Sequence, residues 1–177
     1  MLEWRHFPVS HVSMKADLVI RAATPADFDA IWPIFHQVVA AGDTYAYAPD
    51  TPRAEAERLW MSLPLKTFVA ELAGQVVGTY YLKANQVGLG DHVANAGYMV
   101  AQAARGNGVA SAMCVHSLDT ARALGFTAMQ FNFVVGTNQG AIRLWERHGF
   151  QIVGRLPDAY RHAQLGKVPA LVMYRFL

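Results

Sequence analysis

The stretch at residues 100–113, VAQAARGNGVASAM, sets the tightest constraint on how this chain folds. It joins an alternating, strand-like run at 92–100 to a helical one, and it places Arg105, Gly106, Asn107 and Gly108 at the handover. Two glycines there let the backbone turn sharply and bring its N–H groups close to a ligand with no Cβ in the way. The helix that follows is expected over 108–124, and its first turn offers unpaired N–H groups and the positive end of a dipole to an anion. Arg105 adds a permanent charge and a fork of donors suited to phosphate oxygens. Together, Arg105, Gly106, Asn107, Gly108, Val109 and Ala110 read as a pyrophosphate cradle. A tight turn without a ligand fits the same glycine spacing. The stretch is neither a P-loop, since no Gly-Lys-Ser/Thr follows, nor a dinucleotide fingerprint, since the third glycine is missing.

The rest of the chain alternates strand and helix signals around this junction. A strand at 18–23 leads to Thr24 and Pro25, an N-cap and first-turn proline, and a helix to about Ala41. Gly42 breaks it, and the aromatic loop GDTYAYAPDTP precedes a second helical segment at 53–61. TFVAEL and QVVGTYYL, split by Ala73-Gly74, read as a hairpin, and 92–100 completes a meander. In the long helix, Val109, Ala110, Met113, Cys114, Ser117, Ala121 and Leu124 share one side of the wheel, and Gly125 stops it. AMQFNFVV is a strand, 139–148 a helix, and QIVGRL and ALVMYRFL the last two strands. The order is β-α-α-β-β-β-α-β-α-β-β, one α/β (α+β) domain over 15–177.

Composition narrows the class. A 53% hydrophobic fraction over 177 residues fills one core. Basic residues number 15 and acidic ones 13, with no Lys/Arg block to track a nucleic-acid backbone. The single cysteine, Cys114, leaves no intramolecular disulfide and fits a reducing compartment. No apolar run approaches a membrane span, and the first residues show no export-type core, so a cytoplasmic location without membrane attachment is the expectation. Residues 1–14 mix His, Pro, Trp and Ser without period, and are expected to form an ill-ordered extension with Met14 as an alternative start. No metal site is expected.

A second stretch, NQGAIRLWERHGF at 138–150, joins the first to carry a resemblance. Arg105, Gly108 and Ala110 fall on the marked positions of Gln/Arg-x-x-Gly-x-Gly/Ala. Asn138, Ala141, Trp145, Gly149 and Phe150 fall on Asn-x-x-Ala, an aromatic and Gly-Phe. With the element order, the two motifs resemble the GNAT superfamily of acetyl-CoA-dependent N-acyltransferases. The resemblance implies a mixed central sheet splayed between its two central parallel strands and flanked by helices. It also implies acetyl-CoA as co-substrate, with pyrophosphate on Arg105 to Ala110 and pantetheine between the strands at 95–100 and 130–134. Backbone groups near Met99 and Val100 would bond the pantetheine amides, and Asn138 would touch the pantetheine arm. A homodimer follows by analogy.

Thioester aminolysis needs a neutral amine, a stabilised oxyanion and a departing thiolate. Many similar proteins offer a tyrosine acid where this chain has Trp145, whose N–H donates but is not given up near neutral pH. Trp145 therefore reads as a packing residue against sheet and co-substrate. For the base, His92 and Tyr98 share one face of the third meander strand, and a histidine is the side chain type that can take a proton at physiological pH. A solvated histidine at a strand start is the plainer reading. Asn132, set between phenylalanines, either fills a local backbone gap or points into the cleft at the substrate. Tyr45 and Tyr47 either line the acceptor pocket or cap the core edge, and Arg161, on the expected loop DAYRHAQLGK, either holds a substrate carboxylate or faces water. The amine itself would be partly neutral if it were an α-amino group, with a pKa of roughly 7.7 to 8.0, so no dedicated base is required.

The leading expectation is an N-acetyltransferase acting on a small primary amine, an amino acid or an analogue of one, which the tail GRLPDAYRHAQLGKVPALVMYRFL and the pair Asn132 and Asn138 resemble. The alternatives are a protein N-terminal or lysine acetyltransferase, and a GNAT-fold domain that binds acyl-CoA without turnover.

Overall fold

Ala73 and Gly74 both take positive φ, 50° and 76°, and close the two-residue turn expected between β2 (Lys66–Leu72) and β3 (Gln75–Ala84). Around that hairpin a computed structural model of the chain, describing residues 18–177, shows one mixed sheet. The expected extension at 1–14, Met14 and the three residues after it lie outside the described residues. The other strands are β1 (Leu18–Ala22), β4 (Val93–Val100), β5 (Ala128–Val135), β6 (Gln151–His162) and β7 (Gly166–Phe176). The sheet order is β1-β2-β3-β4-β5-β7-β6, antiparallel throughout except for β4 against β5.

Helices cover both faces. On one, α1 (Phe28–Ala40), opened by a turn at Pro25–Asp27, and α2 (Arg53–Glu57) pack with Val69, Tyr81 and Met99. On the other, α3 (Val109–Ala123) and α4 (Gln139–Arg147) pack on Phe68, Tyr80, Leu82, Phe131 and Met173. The expected second helix changes after Glu57 into a wider turn, Arg58–Ser62. That turn swings Trp60 fully into the core, where its Nε1–H donates to Thr79 Oγ at 2.9 Å and the Thr67 hydroxyl donates to its carbonyl at 2.6 Å. A buried indole requires such a partner.

One expectation is corrected. The segment DAYRHAQLGK is not a free loop: β6 runs to His162, and β7 starts at Gly166, so only residues 163–165 turn. Pro157 and Asp158 are absorbed as an irregularity between Leu156 and Tyr160, with Asp158 at φ 51°. An edge strand tolerates a proline and a bulge because one side of it needs no ladder partner.

The decisive departure from regular pairing lies in the middle. Strands β4 and β5 pair only at Val93 with Ala128 and at Ala94 with Met129, and then part. Strand β5 also slips against β7 between Phe131 and Val134. Asn132 and Phe133 therefore sit in a stretch of strand unpaired on both sides, and a slot opens through the sheet.

Candidate active site

A cavity of about 570 Å³ occupies this slot and passes from one face of the sheet to the other. Its wall on the α3/α4 side includes Arg105, Ala110, Asn138, Ala141, Leu144 and Trp145, and on the α1/α2 side Tyr45, Tyr47, Tyr81, Lys83, Asn132 and Phe133.

The glycine turn forms as its sequence dictates. Gly106 and Gly108 take φ of 80° and 79°, the left-handed region where a Cβ is disfavoured. Above both glycines the space is open, since a Cβ would meet nothing within 4 Å. Gly108 is the N-cap of α3, and no side chain caps that helix start. The first N–H groups of α3 thus face outward beside the exposed Arg105, an arrangement whose chemistry suits an anion. Val109 is buried beneath the turn, and Asn107 is exposed on it.

Register settles which backbone groups face the slot. Ala101 N–H donates to Val77 O, and Asn85 N–H donates to Val93 O, so the odd-numbered residues of β4 turn their peptide groups toward β3. Thr127 N–H donates to His92 O on the opposite edge. Alternation then gives Ala96, Tyr98 and Val100 the open edge, while Met99, one of the two expected backbone contacts, spends its peptide groups on the β3 ladder. Two side chains hold the open edge in shape. Asn95 Nδ2 donates to Gln130 O at 2.9 Å, one residue past the last β4–β5 pair. The Tyr45 hydroxyl donates to Tyr98 O at 2.8 Å.

Each remaining expected residue has a definite place. Asn138 is half-buried on the cavity wall and accepts from Ala141 N–H at 3.1 Å, so its Oδ1 caps α4, and its amide N–H₂ has no partner among the described residues. Trp145 is buried against Tyr98 and Phe131, with ring centroids 4.9 Å away in each case. Tyr98 lines the cavity, but its hydroxyl lies in the core, sharing a hydrogen bond of 2.6 Å with Ser117 Oγ. Burial pushes that phenol far above its ordinary pKa, and Tyr45 is raised for the same first reason. Neither gives or takes a proton near neutrality.

Asn132 is exposed rather than buried. It accepts from Gln130 Nε2 at 2.8 Å, donates to Asn85 Oδ1 at 2.7 Å, and faces the cavity on the α1/α2 side. Tyr45 and Tyr47 stack with centroids 5.7 Å apart and line the cavity while also packing at the core edge on Trp60 and Phe35. The structure does not bring His92 or Arg161 to the cavity. His92 is exposed at the closed end of the β4–β5 pair, where its carbonyl accepts from Thr127. Arg161 is exposed on the outer hairpin opposite Lys167, because β6 continues as a strand where a pocket loop was expected.

Tyr81, Lys83 and Asn95 are wall residues that the sequence reading did not single out. The signal for Asn95 was present as a lone amide in an apolar strand, and for Lys83 as a cation closing an apolar one. Lys83 Nζ sits 5.8 Å from the centroid of the Tyr81 ring, and Tyr81 OH donates to Asn95 Oδ1 at 3.4 Å.

Comparison with known proteins agrees with this geometry. The profile of the acetyltransferase (GNAT) family matches residues 31–150. A GCN5-related N-acetyltransferase from Kribbella flavida superposes with a TM-score of 0.88 at 45% identity, covering 92% of this chain and 99% of that one. A phosphinothricin acetyltransferase from Sinorhizobium meliloti, solved with acetyl-CoA, shares the fold at a TM-score of 0.79 and 23% identity over 91% of this chain and 89% of its own. The N-acetyltransferase aca1 of Schizosaccharomyces pombe is 36% identical over 86 residues, which are 49% of this chain and 41% of that protein, so the matched part spans less than half of this curated relative. The splayed sheet, the uncapped glycine turn and the family match over most of the domain converge: the chain belongs to the GNAT family of acetyltransferases.

Proposed function

We propose that the chain transfers the acetyl group of acetyl-CoA to a primary amine of a small molecule, an amino acid or a close analogue. One observation carries this reading: the cavity crosses the sheet, with an anion-binding helix start on one side and a polar, aromatic chamber on the other. Its volume of about 570 Å³ falls in the range of small-molecule sites.

The residues present fit acetyl-CoA. Arg105 and the N–H groups at the start of α3 would hold the pyrophosphate, with Gly106 and Gly108 leaving the approach clear. The free amide N–H₂ of Asn138 and the open edge of β4 at Ala96, Tyr98 and Val100 would bond the pantetheine amides. When bound, the co-substrate supplies an activated acyl carbonyl on a good leaving sulfur. The outward N–H groups of that same edge are the donors available to the carbonyl oxygen as negative charge develops there. Trp145 walls the reacting centre on the α4 side and excludes water from it.

From the α1/α2 side, Asn132 and Lys83 orient the acceptor, and Tyr45 and Tyr47 shape its chamber. The amine nitrogen forms a bond to the acetyl carbon as the carbon–sulfur bond breaks. The nitrogen loses one proton to water at the mouth of the chamber, and the sulfur gains one, leaving amide and free thiol.

Thiol release from acetyl-CoA, followed across a panel of amino acids, their analogues and peptides, tests the proposal. Turnover on small amines supports it. A rise in Tm with acetyl-CoA but no turnover on any acceptor would leave an acyl-CoA-binding domain instead, and no rise in Tm would sink both readings.

A further inference from the structure

The acceptor side of the cavity is built from hydroxyls, an amide and one cation, Lys83. Among the described residues its wall has no aspartate, glutamate or histidine. The titratable and charged groups that face it are Tyr45 and Tyr47 from the α1–α2 loop and Tyr81 and Lys83 from β3, while Arg105 and the Tyr98 hydroxyl belong to the α3/α4 side. Asp43, the carboxylate that precedes the aromatic loop, is not part of the wall.

An ammonium ion entering such a chamber loses water and meets one cation, Lys83, with no anion to compensate. Burying a charge without a partner is among the costliest steps in binding, whereas a neutral amine loses only a few hydrogen bonds, which Asn132 and the tyrosine hydroxyls can replace. The tyrosines do not help an ammonium, because burial holds Tyr45 and Tyr81 as neutral phenols. Resting on the acetyl-transfer reading above, we infer that the acceptor is a weakly basic amine that binds as its neutral form, shedding its proton to solvent on entry. The favoured class is that of α-amino groups beside an amide or ester carbonyl and similarly activated amines, with pKa values of roughly 8; free amino acids, whose carboxylate makes the amine more basic, come next, and alkylammonium groups such as lysine side chains near 10.4 are disfavoured. At pH 7.5 the neutral fraction of the first is about one quarter and of the second about one thousandth, a difference of roughly 200-fold in available nucleophile.

Two readouts test this. In the first, kcat/KM is followed from pH 6 to 10 for amines of graded basicity: an α-amino amide, an α-amino acid and an alkylamine of similar size. The expected inflection moves one for one with the pKa of each amine. An inflection at one pH common to all of them would reveal a base on the enzyme and overturn the inference. In the second, calorimetry of amine binding to the CoA-loaded protein in two buffers of different ionisation enthalpy counts protons. One proton released per amine, below the amine's pKa, is expected, and none released would overturn the inference without any turnover being required. Asn132→Asp, which puts a carboxylate at the mouth, should raise the alkylamine's kcat/KM about tenfold relative to the α-amino amide, and an unchanged ratio would count against the electrostatic argument. If amines bind with proton release but none is acetylated, the transfer reading alone fails. If acetylation occurs with a common inflection, the inference alone fails.

Discussion

Gly97→Ala is the smallest substitution that should damage the acceptor chamber. Gly97 lies in the middle of β4, and a Cβ there would come within 2.6 Å of Tyr81 Cε1, 2.9 Å of Cζ and 3.0 Å of the hydroxyl oxygen. Gly97 is not among the glycines of positive φ, so the cost is overlap and not backbone strain. The ring has little room to move, since it packs edge-on with the fully buried Trp60, with centroids 4.9 Å apart. Overpacking of this kind costs about 1–3 kcal/mol, and at about 2–4 °C per kcal/mol for a domain of this size Tm should fall by roughly 2–12 °C. Because Tyr81 is part of the chamber wall, KM for the amine should rise several-fold. Binding of acetyl-CoA at the Arg105 turn should hardly change. Thermal unfolding and steady-state kinetics with each substrate varied in turn read both effects. In a Tyr81→Ala background the same glycine substitution should cost much less, since its partner is gone. An unshifted Tm together with an unchanged amine KM would refute the reasoning, and so would full additivity with Tyr81→Ala.

Three further outcomes are expected. Arg105→Ala should leave Tm unchanged, since the side chain is exposed, while weakening acetyl-CoA binding by roughly ten- to a hundredfold, the value of a charge-assisted contact, as read by calorimetry. Trp145→Phe should cost about 1–2 kcal/mol of stability yet keep most of kcat; a collapse of kcat with acetyl-CoA affinity intact would show that the indole N–H takes part in the chemistry. His148 and His116 are both held below the ordinary histidine pKa, first by burial and for His148 also by Arg175 and Arg147. Their folded forms resist protonation while the unfolded chain accepts it, so Tm should fall as pH drops through about 6.5 and level off below the folded pKa values. His148→Gln should flatten part of that slope, and a Tm that stays flat from pH 7 to 5 would contradict it.

What was legible in the sequence is what local chemistry encodes. Gly106 and Gly108 turn, Asn138 caps α4, and Gly149 at φ 81° ends it, each because the residue itself dictates the backbone it can adopt. Strand and helix order followed from periodicity for the same reason. Long-range pairing was not legible. The alternation of β4 was read correctly, but which of its faces meets α3 depends on where that helix packs, and Tyr98 consequently turned out to spend its hydroxyl on Ser117. His92 and Arg161 have the right chemistry in the wrong place: one lies where β4 and β5 are still joined, the other on a strand that continues through a proline. Asn95 was passed over because its role depends on a carbonyl 35 residues away.

That contact explains how a sheet can hold a hole in its centre. Parting two strands strands a row of backbone N–H and C=O groups, and each one left unpaired away from water costs about as much as a lost hydrogen bond. The sequence answers at the points where the loss would fall. Asn95 reaches the first orphaned carbonyl of β5 from its own strand, and Tyr45 reaches the carbonyl of Tyr98 from the loop on the acceptor side. On the facing strand, Asn132 links Gln130 to Asn85 where β5 has lost both ladders. These side chains fix the rim of the slot and leave the outward N–H groups of β4 between them to a bound amide or thioester carbonyl. Stability and activity are therefore coupled through the same residues: Asn95→Ala should loosen the rim and unfold more easily, and added acetyl-CoA should recover part of the lost Tm by filling the slot. A variant whose deficit is the same with and without the co-substrate would show that the rim and the binding slot are independent.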